Sequence, residues 1–171
     1  LVHFDAHRDD YDHMAHWLGA VRSAAHWAAY TVHEGYVDAA QSIQIGIRGN
    51  PMKPRDDPAE SSTGYRVLPA DEIFEAGLER TIEIMRERIG DAPVYVSFDL
   101  DVLDPADAPG VANLEAGYRG LTTWGAIKIL HGLRGTNTRA ADTSCPQPAG
   151  ATPNPDPSLP RPAPYVPVPS R

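Results

Sequence analysis

Apolar positions along the chain follow strand spacing in some segments and helix spacing in others. Short apolar runs predict β-strands at residues 1–5, 42–48, 67–68 and 94–99. Apolar residues at helical spacing predict helices at residues 20–33, 71–89 and 122–133. The alternation within residues 42–48 indicates a strand with one covered face. Strands that alternate with helices in this way predict an α/β fold with a mostly parallel sheet.

The apolar pattern ends after about residue 135, where the chain becomes rich in proline. Ten of the 17 prolines lie between Pro146 and Pro169. Such a segment buries too little apolar surface to offset its chain entropy, so residues 136–171 are expected to be disordered with local polyproline II character. Two interpretations stay open, a ligand for SH3-type domains and a non-native tail, and the second is favoured. The expected domain is residues 1–135.

Composition narrows the class of partner. The chain of 171 residues has a net charge of -8, and nucleic-acid binding requires a basic face instead. No apolar run approaches the roughly 20 residues that span a bilayer. The single cysteine, Cys145, excludes an intrachain disulfide and indicates a reducing compartment, so a cytoplasmic location is expected. A small molecule is the expected partner.

Two acidic clusters each follow a predicted strand. The first cluster is Asp5, His7 and Asp9, and the second cluster is Asp99 and Asp101. Side chains two residues apart on an extended segment point the same way, so each cluster is expected to converge. Ligands of open parallel sheets bind outside the carboxyl ends of the strands, where both clusters fall. Carboxylates with an imidazole suit manganese or a similar first-row ion.

Five segments of the chain carry a family resemblance. They are residues 4–9, 34–38, 43–49, 94–105 and 108–110. In these segments, and in their order, the chain resembles the ureohydrolases, which include arginase, agmatinase and guanidinobutyrase. Residues 43–49 resemble agmatinase more than arginase. The resemblance implies a three-layer α/β/α fold and a manganese-dependent hydrolase that releases urea and an amine from a guanidino compound such as agmatine.

The resemblance also implies a role for each cluster residue. Asp5 and Asp99 would bridge two Mn²⁺ ions, and His7 and Asp101 would ligate one of them. Asp9 would ligate the other ion and hydrogen-bond the bridging hydroxide that attacks the guanidinium carbon. A trimer or hexamer is expected of the full-length protein. The substrate is expected near two loop residues, Asn113 and Glu115, although Glu115 is also explained as a solvated charge.

Three departures from the family pattern bear on activity. A metal-binding histidine of the family lies upstream of residue 1, so the chain, which opens inside a strand without Met, is expected to be a fragment and poorly soluble. The family's proton-shuttling histidine falls on Ala24, and His26 is the catalytic candidate in its place, with His13 and His16 as alternatives. Cys145 stands where many members have a glutamate for the substrate guanidinium. A thiol pairs poorly with a guanidinium.

These departures keep two alternatives to an active enzyme open. The first is a non-catalytic relative or partner subunit of a ureohydrolase hetero-oligomer. The second is a metal-binding α/β protein without turnover. Three further expectations concern single residues: Arg8 points away from the metal ligands, Trp27 is a packing residue, and Cys145 is chemically inert.

Overall fold

The computed structural model describes residues 1–11, 19, 22–49, 63–111, 113–115 and 119–145. Its centre is a five-stranded sheet in which every pair of neighbouring strands is parallel. The strands are β1 (Val2–Phe4), β2 (Ile43–Ile47), β3 (Arg66–Pro69), β4 (Val94–Asp99) and β5 (Thr138–Ser144). The spatial order is β3-β2-β1-β4-β5, which puts β1 in the middle. The prediction of a parallel α/β sheet is confirmed.

Four α-helices accompany the described strands. They are α1 (Trp27–His33), α2 (Ala70–Ala76), α3 (Leu78–Ile89) and α4 (Thr123–His131). Single 3-10 turns cover Ala24–His26, Ala39–Gln41 and Leu100–Val102. Thr122 caps α4, with its side chain accepting from Gly125 N. Among the described helices, none is long and apolar enough to cross a membrane.

The helix predicted at residues 71–89 is two helices rather than one. Gly77 separates α2 from α3, with a φ of 83° that few side-chain-bearing residues adopt. Phe74 therefore leaves the predicted apolar stripe and is 38% exposed, whereas Met85 and Ile89 remain in the core. The helix predicted at residues 20–33 also differs, because its α-helical part begins only at Trp27.

Helices cover both faces of the sheet and make three layers. Val2 and Phe4 pack into a large core with residues of α2, α3 and α4. Leu1 packs into a smaller core with Ala28 of α1. Because neighbouring residues of a strand point to opposite faces, these two cores lie on opposite sides of the sheet. His3 and Asp5 share the side of Leu1, so these two side chains face α1, whereas Val2 and Phe4 face the large core.

Two predictions about the strands are wrong. Residues 42–48 were expected to have one covered face, but every residue of β2 is buried, since β2 lies inside the sheet between β1 and β3. The domain was expected to end at residue 135, but β5 adds an edge strand at Thr138–Ser144. The proline-rich segment from Pro146 onward lies outside the described residues.

Candidate metal centre

The carboxyl ends of the central strands bring the two clusters together. Asp5 directly follows β1, and Asp99 is the last residue of the neighbouring strand β4. Ala6 N donates a hydrogen bond of 3.0 Å to Asp101 Oδ1, and His7 Nδ1 lies 3.1 Å from Asp101 Oδ2. Asp5, Asp99 and Asp101 are all buried. The two clusters thus form one polar site in the middle of the sheet edge.

Among the residues that the structure describes, three groups of side chains at this edge are compact enough to hold a metal ion. In each group the donor atoms lie within 4.8 Å of one another. The groups are His3, Asp5 and Asp9; Asp5, His7 and Asp101; and Asp99, Asp101 and Cys145. Asp5 belongs to the first two groups, so one carboxylate stands between two potential ion positions. This arrangement suits a centre of two ions better than a single ion.

Turns of the chain, rather than strand alternation, cause the convergence within each cluster. In the first cluster, Asp9 has a φ of 51° in the left-handed region, and His7 N donates to Asp5 Oδ1 at 2.6 Å. In the second cluster, Asp101 lies in a 3-10 turn and its N–H donates to Asp99 Oδ1 at 2.9 Å. Each cluster converges as expected, but turns rather than extended backbone bring its side chains together.

Arg48 holds the turn of the second cluster. Its guanidinium donates to the carbonyl oxygens of Asp101, Val102 and Leu103 at 2.6, 3.1 and 3.1 Å. Arg48 is only 8% exposed, so these bonds are made away from water. The arginine follows β2 and connects the end of that strand to the turn of the second cluster. Sequence analysis placed it in a family motif without finding this role.

Close backbone approach also fixes the position of His7. Gly49 follows β2, and its N–H donates to Ala6 O at 2.8 Å. A Cβ atom at Gly49 would lie 2.7 Å from His7 Cδ2 and 3.2 Å from Ala6 O. Any larger residue at position 49 would therefore push the imidazole out of place.

The two ring nitrogens of His7 face different groups. Nδ1 faces Asp5 Oδ1 at 3.3 Å and Asp101 Oδ2 at 3.1 Å. Nε2 lies 2.7 Å from Glu115 Oε1 and 3.3 Å from Asn113 Nδ2. A metal-binding imidazole commonly donates its other N–H to a carboxylate, and this geometry makes Nδ1 the nitrogen turned toward the centre.

The electrostatics of the site favour a bound cation. Burial raises the pKa of Asp9 to about 7, with the charge of Asp5 adding to the effect. Burial likewise raises the pKa of Asp101 to about 6. Burial opposes the charged form of His7, but its carboxylate partners outweigh this and raise its pKa to about 11. Asp9 and Asp101 thus hold protons more tightly than free carboxyl groups do, where metal ions would otherwise balance their charge, so the donor set fits divalent ions.

The sequence of the chain matches the arginase family over residues 1–154. The chain belongs to the arginase family. It is 40% identical over 144 residues to a guanidinopropionase of Pseudomonas aeruginosa, covering 83% of this chain and 43% of that protein. It is also 40% identical over 144 residues to a mitochondrial agmatinase of Gallus gallus, covering 83% of this chain and 40% of that protein.

Solved structures of the arginase family share this fold. Proclavaminate amidino hydrolase from Streptomyces clavuligerus matches with a TM-score of 0.75 and 34% identity, over 86% of this chain and 47% of its own. A hypothetical agmatinase from Burkholderia thailandensis matches with a TM-score of 0.72 and 33% identity, over 89% of this chain and 44% of its own. The arginase-like α/β/α fold is therefore shown. The chain spans less than half the length of these relatives.

His26, the candidate for the family's proton-shuttling histidine, does not join the ligand groups. It is buried at the start of α1, with its Nδ1 2.8 Å from Ser23 Oγ. The alternatives His13 and His16 lie outside the described residues. The neighbour of His26, Trp27, instead reaches the first cluster, because its Nε1–H donates to Asp9 Oδ2 at 2.9 Å.

His3 belongs to one of the candidate ligand groups, and sequence analysis missed it. It is buried in β1, and its Nε2 lies 2.8 Å from Asp5 Oδ2. A histidine inside an apolar strand run suggests only a core position. The available signal was its spacing, since residues 3 and 5 of an extended segment share a face.

Arg8 and Cys145 complete the surroundings of the two clusters. Arg8 binds Asp10 through Nε and Nη2 at 3.0 and 3.2 Å, and Asp10 is not a member of any ligand group. Cys145 has a φ of 59° and follows β5 beside Asp99. Burial raises the pKa of its thiol to about 12, and a hydrogen bond with Asp99 adds to this. The inertness of Cys145 stays a prediction.

Proposed function

We propose that the full-length protein is a manganese-dependent hydrolase that releases urea and an amine from an agmatine-like guanidino compound. The observation that carries the proposal is the membership of Asp5 in two ligand groups, because one shared carboxylate is what a two-ion centre requires. The names of the relatives, guanidinopropionase and agmatinase, support the substrate class. Membership in the arginase family supports the reaction type.

The chain would hold two Mn²⁺ ions with the residues of both clusters. By the family resemblance Asp5 and Asp99 would be shared, Asp9 would hold one ion, and His7 and Asp101 would hold the other. Membership in two ligand groups supports the sharing of Asp5, whereas Asp99 belongs to one group and Asp101 to two. Four carboxylates balance the charge of two divalent ions, and oxygen-rich sites with one imidazole suit manganese. When bound, two such ions lower the pKa of water and supply a nucleophile at neutral pH.

The protein's own residues would position a cationic substrate beside this centre. Asn113 and Glu115 contact His7 from the loop after β4, and both would line the approach to the ions. Glu115 is 25% exposed and carries the negative charge that a guanidinium or amine prefers. Asp9 would orient the attacking group and accept a proton. His26 is proposed for proton transfer, with Ser23 holding its Nδ1.

The oligomeric state, the cellular location and the partner of the enzyme are also proposed. A homo-oligomer, trimeric or hexameric, follows from the family resemblance, and the cytoplasm follows from the single cysteine. One relative is named a mitochondrial agmatinase, so location deserves a direct test with a tagged protein. A small guanidino compound is the proposed partner, rather than nucleic acid or a membrane.

Metal content per folded chain tests this proposal first. The 171-residue chain is refolded or purified with Mn²⁺, and bound manganese is counted by elemental analysis after dialysis. Two ions per chain support the centre, and urea release from agmatine, guanidinobutyrate and guanidinopropionate then identifies the substrate. A folded chain without bound Mn²⁺, Zn²⁺ or Co²⁺ contradicts the proposed centre.

Cys145 favours a second candidate function, that of a metal-binding relative without turnover. A thiol whose pKa is raised to about 12 stays neutral and does not hold a guanidinium as a carboxylate does. Two bound ions without urea release, in a chain restored to the length of its relatives, would support a non-catalytic partner subunit. Cys145→Glu in that restored chain should then create activity.

A further inference from the structure

We propose that His3 and Trp27 act together as positioning residues that orient the metal-binding carboxylates of Asp5 and Asp9 before a metal ion arrives. This inference rests on the proposed metal centre. It assigns a function to a tryptophan expected only to pack and to a histidine that no sequence motif singles out. Both side chains come from the side of the sheet that faces α1.

The hydrogen bonds around His3 determine which ring nitrogen carries the proton. Gln44 lies opposite His3 on β2, and its Nε2 group lies 3.4 Å from His3 Nδ1 while also donating to Arg8 O. An amide NH₂ can only donate, so His3 Nδ1 accepts. His3 Nε2 is then the donor to Asp5 Oδ2 at 2.8 Å. His3 thus directs its Nε2–H at Asp5 and acts as a donor to a ligand rather than as a ligand itself.

Trp27 plays the matching part for Asp9. It is the first residue of α1, and its Nε1–H donates to Asp9 Oδ2 at 2.9 Å. The next residue of the helix, Ala28, donates its N–H to Asp9 O at 3.0 Å. These two bonds hold Asp9 in the left-handed backbone conformation, φ 51°, that few non-glycine residues adopt.

Contact between the two rings couples the two carboxylates. The His3 and Trp27 ring centroids lie 4.9 Å apart at an interplanar angle of 76°, an edge-to-face packing. Movement of one ring would therefore displace the other. Each donor occupies one lone pair of a carboxylate that has about four, so lone pairs remain for metal. The pair fixes the half of the centre formed by Asp5 and Asp9.

Metal titration of four single variants of the 171-residue chain tests the pair. Trp27→Phe keeps an aromatic ring and removes the N–H donor, and His3→Met removes both donor and ring. Outer residues of this kind typically contribute 10–100-fold in metal affinity, so each variant should bind one Mn²⁺ about 10–100-fold more weakly and the other as the parent chain does. His3→Gln, with an amide N–H near the place of Nε2, should recover most of the loss.

Trp124→Phe is the matched control, because Trp124 is 63% exposed on α4, outside the ligand groups. Parental Mn²⁺ affinity in Trp27→Phe and His3→Met would overturn the proposal. If His3→Gln binds Mn²⁺ as weakly as His3→Met, ring packing rather than the hydrogen bond matters. That result would overturn the role of His3 as a donor that orients Asp5.

A metal-free measurement separates failure of the pair from failure of the metal centre. In the ¹⁵N spectrum of the metal-free chain, the Trp27 indole N–H should lie downfield and exchange slowly, and Asp9→Asn should move it. An indole signal that Asp9→Asn leaves in place contradicts the hydrogen bond, whether or not the chain binds Mn²⁺. A shifted signal in a chain that binds no Mn²⁺ supports the pair and contradicts the proposed function.

Discussion

The two acidic clusters reach the same site by different means. The second cluster is largely local, since Asp99 and Asp101 close a single turn and bond to each other through the Asp101 N–H. The first cluster is spread over five residues of irregular chain, and its side chains take their orientation from α1, β2 and the loop after β4. A geometry made by one turn is encoded in a short motif. A geometry set by contacts with distant elements depends on the whole fold.

Asp5 is the residue whose loss should do most, because it joins the two halves of the centre. Asp5→Asn removes the charge from both ligand groups that contain it while keeping the shape of the side chain. We expect both Mn²⁺ ions to be lost, as measured by elemental analysis of the dialysed chain. Asp9 belongs to one ligand group, so Asp9→Asn should lose one Mn²⁺ ion. Two retained ions in Asp5→Asn would contradict the shared position.

Replacing Arg48 tests how far the second cluster depends on long-range support. Arg48→Met removes three buried hydrogen bonds from a charged donor to the carbonyls of the turn that holds the second cluster, and should lower the free energy of unfolding by about 3 kcal/mol. It should also weaken metal binding. Chemical denaturation with and without Mn²⁺ measures both effects.

Arg88→Met is the control for this substitution. Arg88 also makes three bonds to carbonyl oxygens, those of Ala39, Ser42 and Gly64, but these lie away from the ligand groups. It should lower stability without changing Mn²⁺ affinity. Equal losses of affinity in both variants would show that general destabilisation, not the held turn, limits metal binding.

Much of the fold was predictable because its central strands are apolar and its motifs are local. The break at Gly77 was not, because the apolar spacing continues across it and only the backbone conformation reveals two helices. Strand β5 was missed because it is an edge strand with mostly exposed, polar residues and no alternation to detect. Its pairing with β4 comes from the sheet, not from its own sequence.

The candidate site shows the same limit. Asp5 and Asp99 were found by motif, since each belongs to a short acidic cluster that directly follows a predicted strand. His3 and Trp27 were not, because a histidine in a strand and a tryptophan on a helix both suggest packing. The hydrogen bond from Trp27 to Asp9 joins residues 18 positions apart, and sequence spacing carries no record of such a contact. For His3 the spacing to Asp5 was available, but nothing in it distinguishes a metal-site role from packing.

Glu115 offers a smaller test of whether contacts from distant elements orient the first cluster. If Glu115 fixes His7 by accepting its Nε2–H, Glu115→Ala should weaken one Mn²⁺ about 10-fold or more, with the melting temperature of the metal-free chain little changed. Glu115→Gln keeps an acceptor oxygen and should lose less. Unchanged Mn²⁺ affinity in both variants would leave Glu115 as a substrate-binding residue only.

The smallest expected effect is a pH trend in the metal-free chain to which both clusters contribute. The pKa values of Asp9 and Asp101 are raised from 3.8 to about 7 and about 6, so the folded chain binds more protons than the unfolded chain and loses stability as pH rises through this range. His7, raised from 6.5 to about 11, adds a loss that begins above its unfolded value. Melting temperatures in EDTA should therefore fall from about pH 5 to pH 8, and Asp9→Asn should flatten the fall. With Mn²⁺ the trend should reverse, because the ions bind the deprotonated ligands. A metal-free melting temperature that rises over this range would contradict the raised pKa values of Asp9, Asp101 and His7.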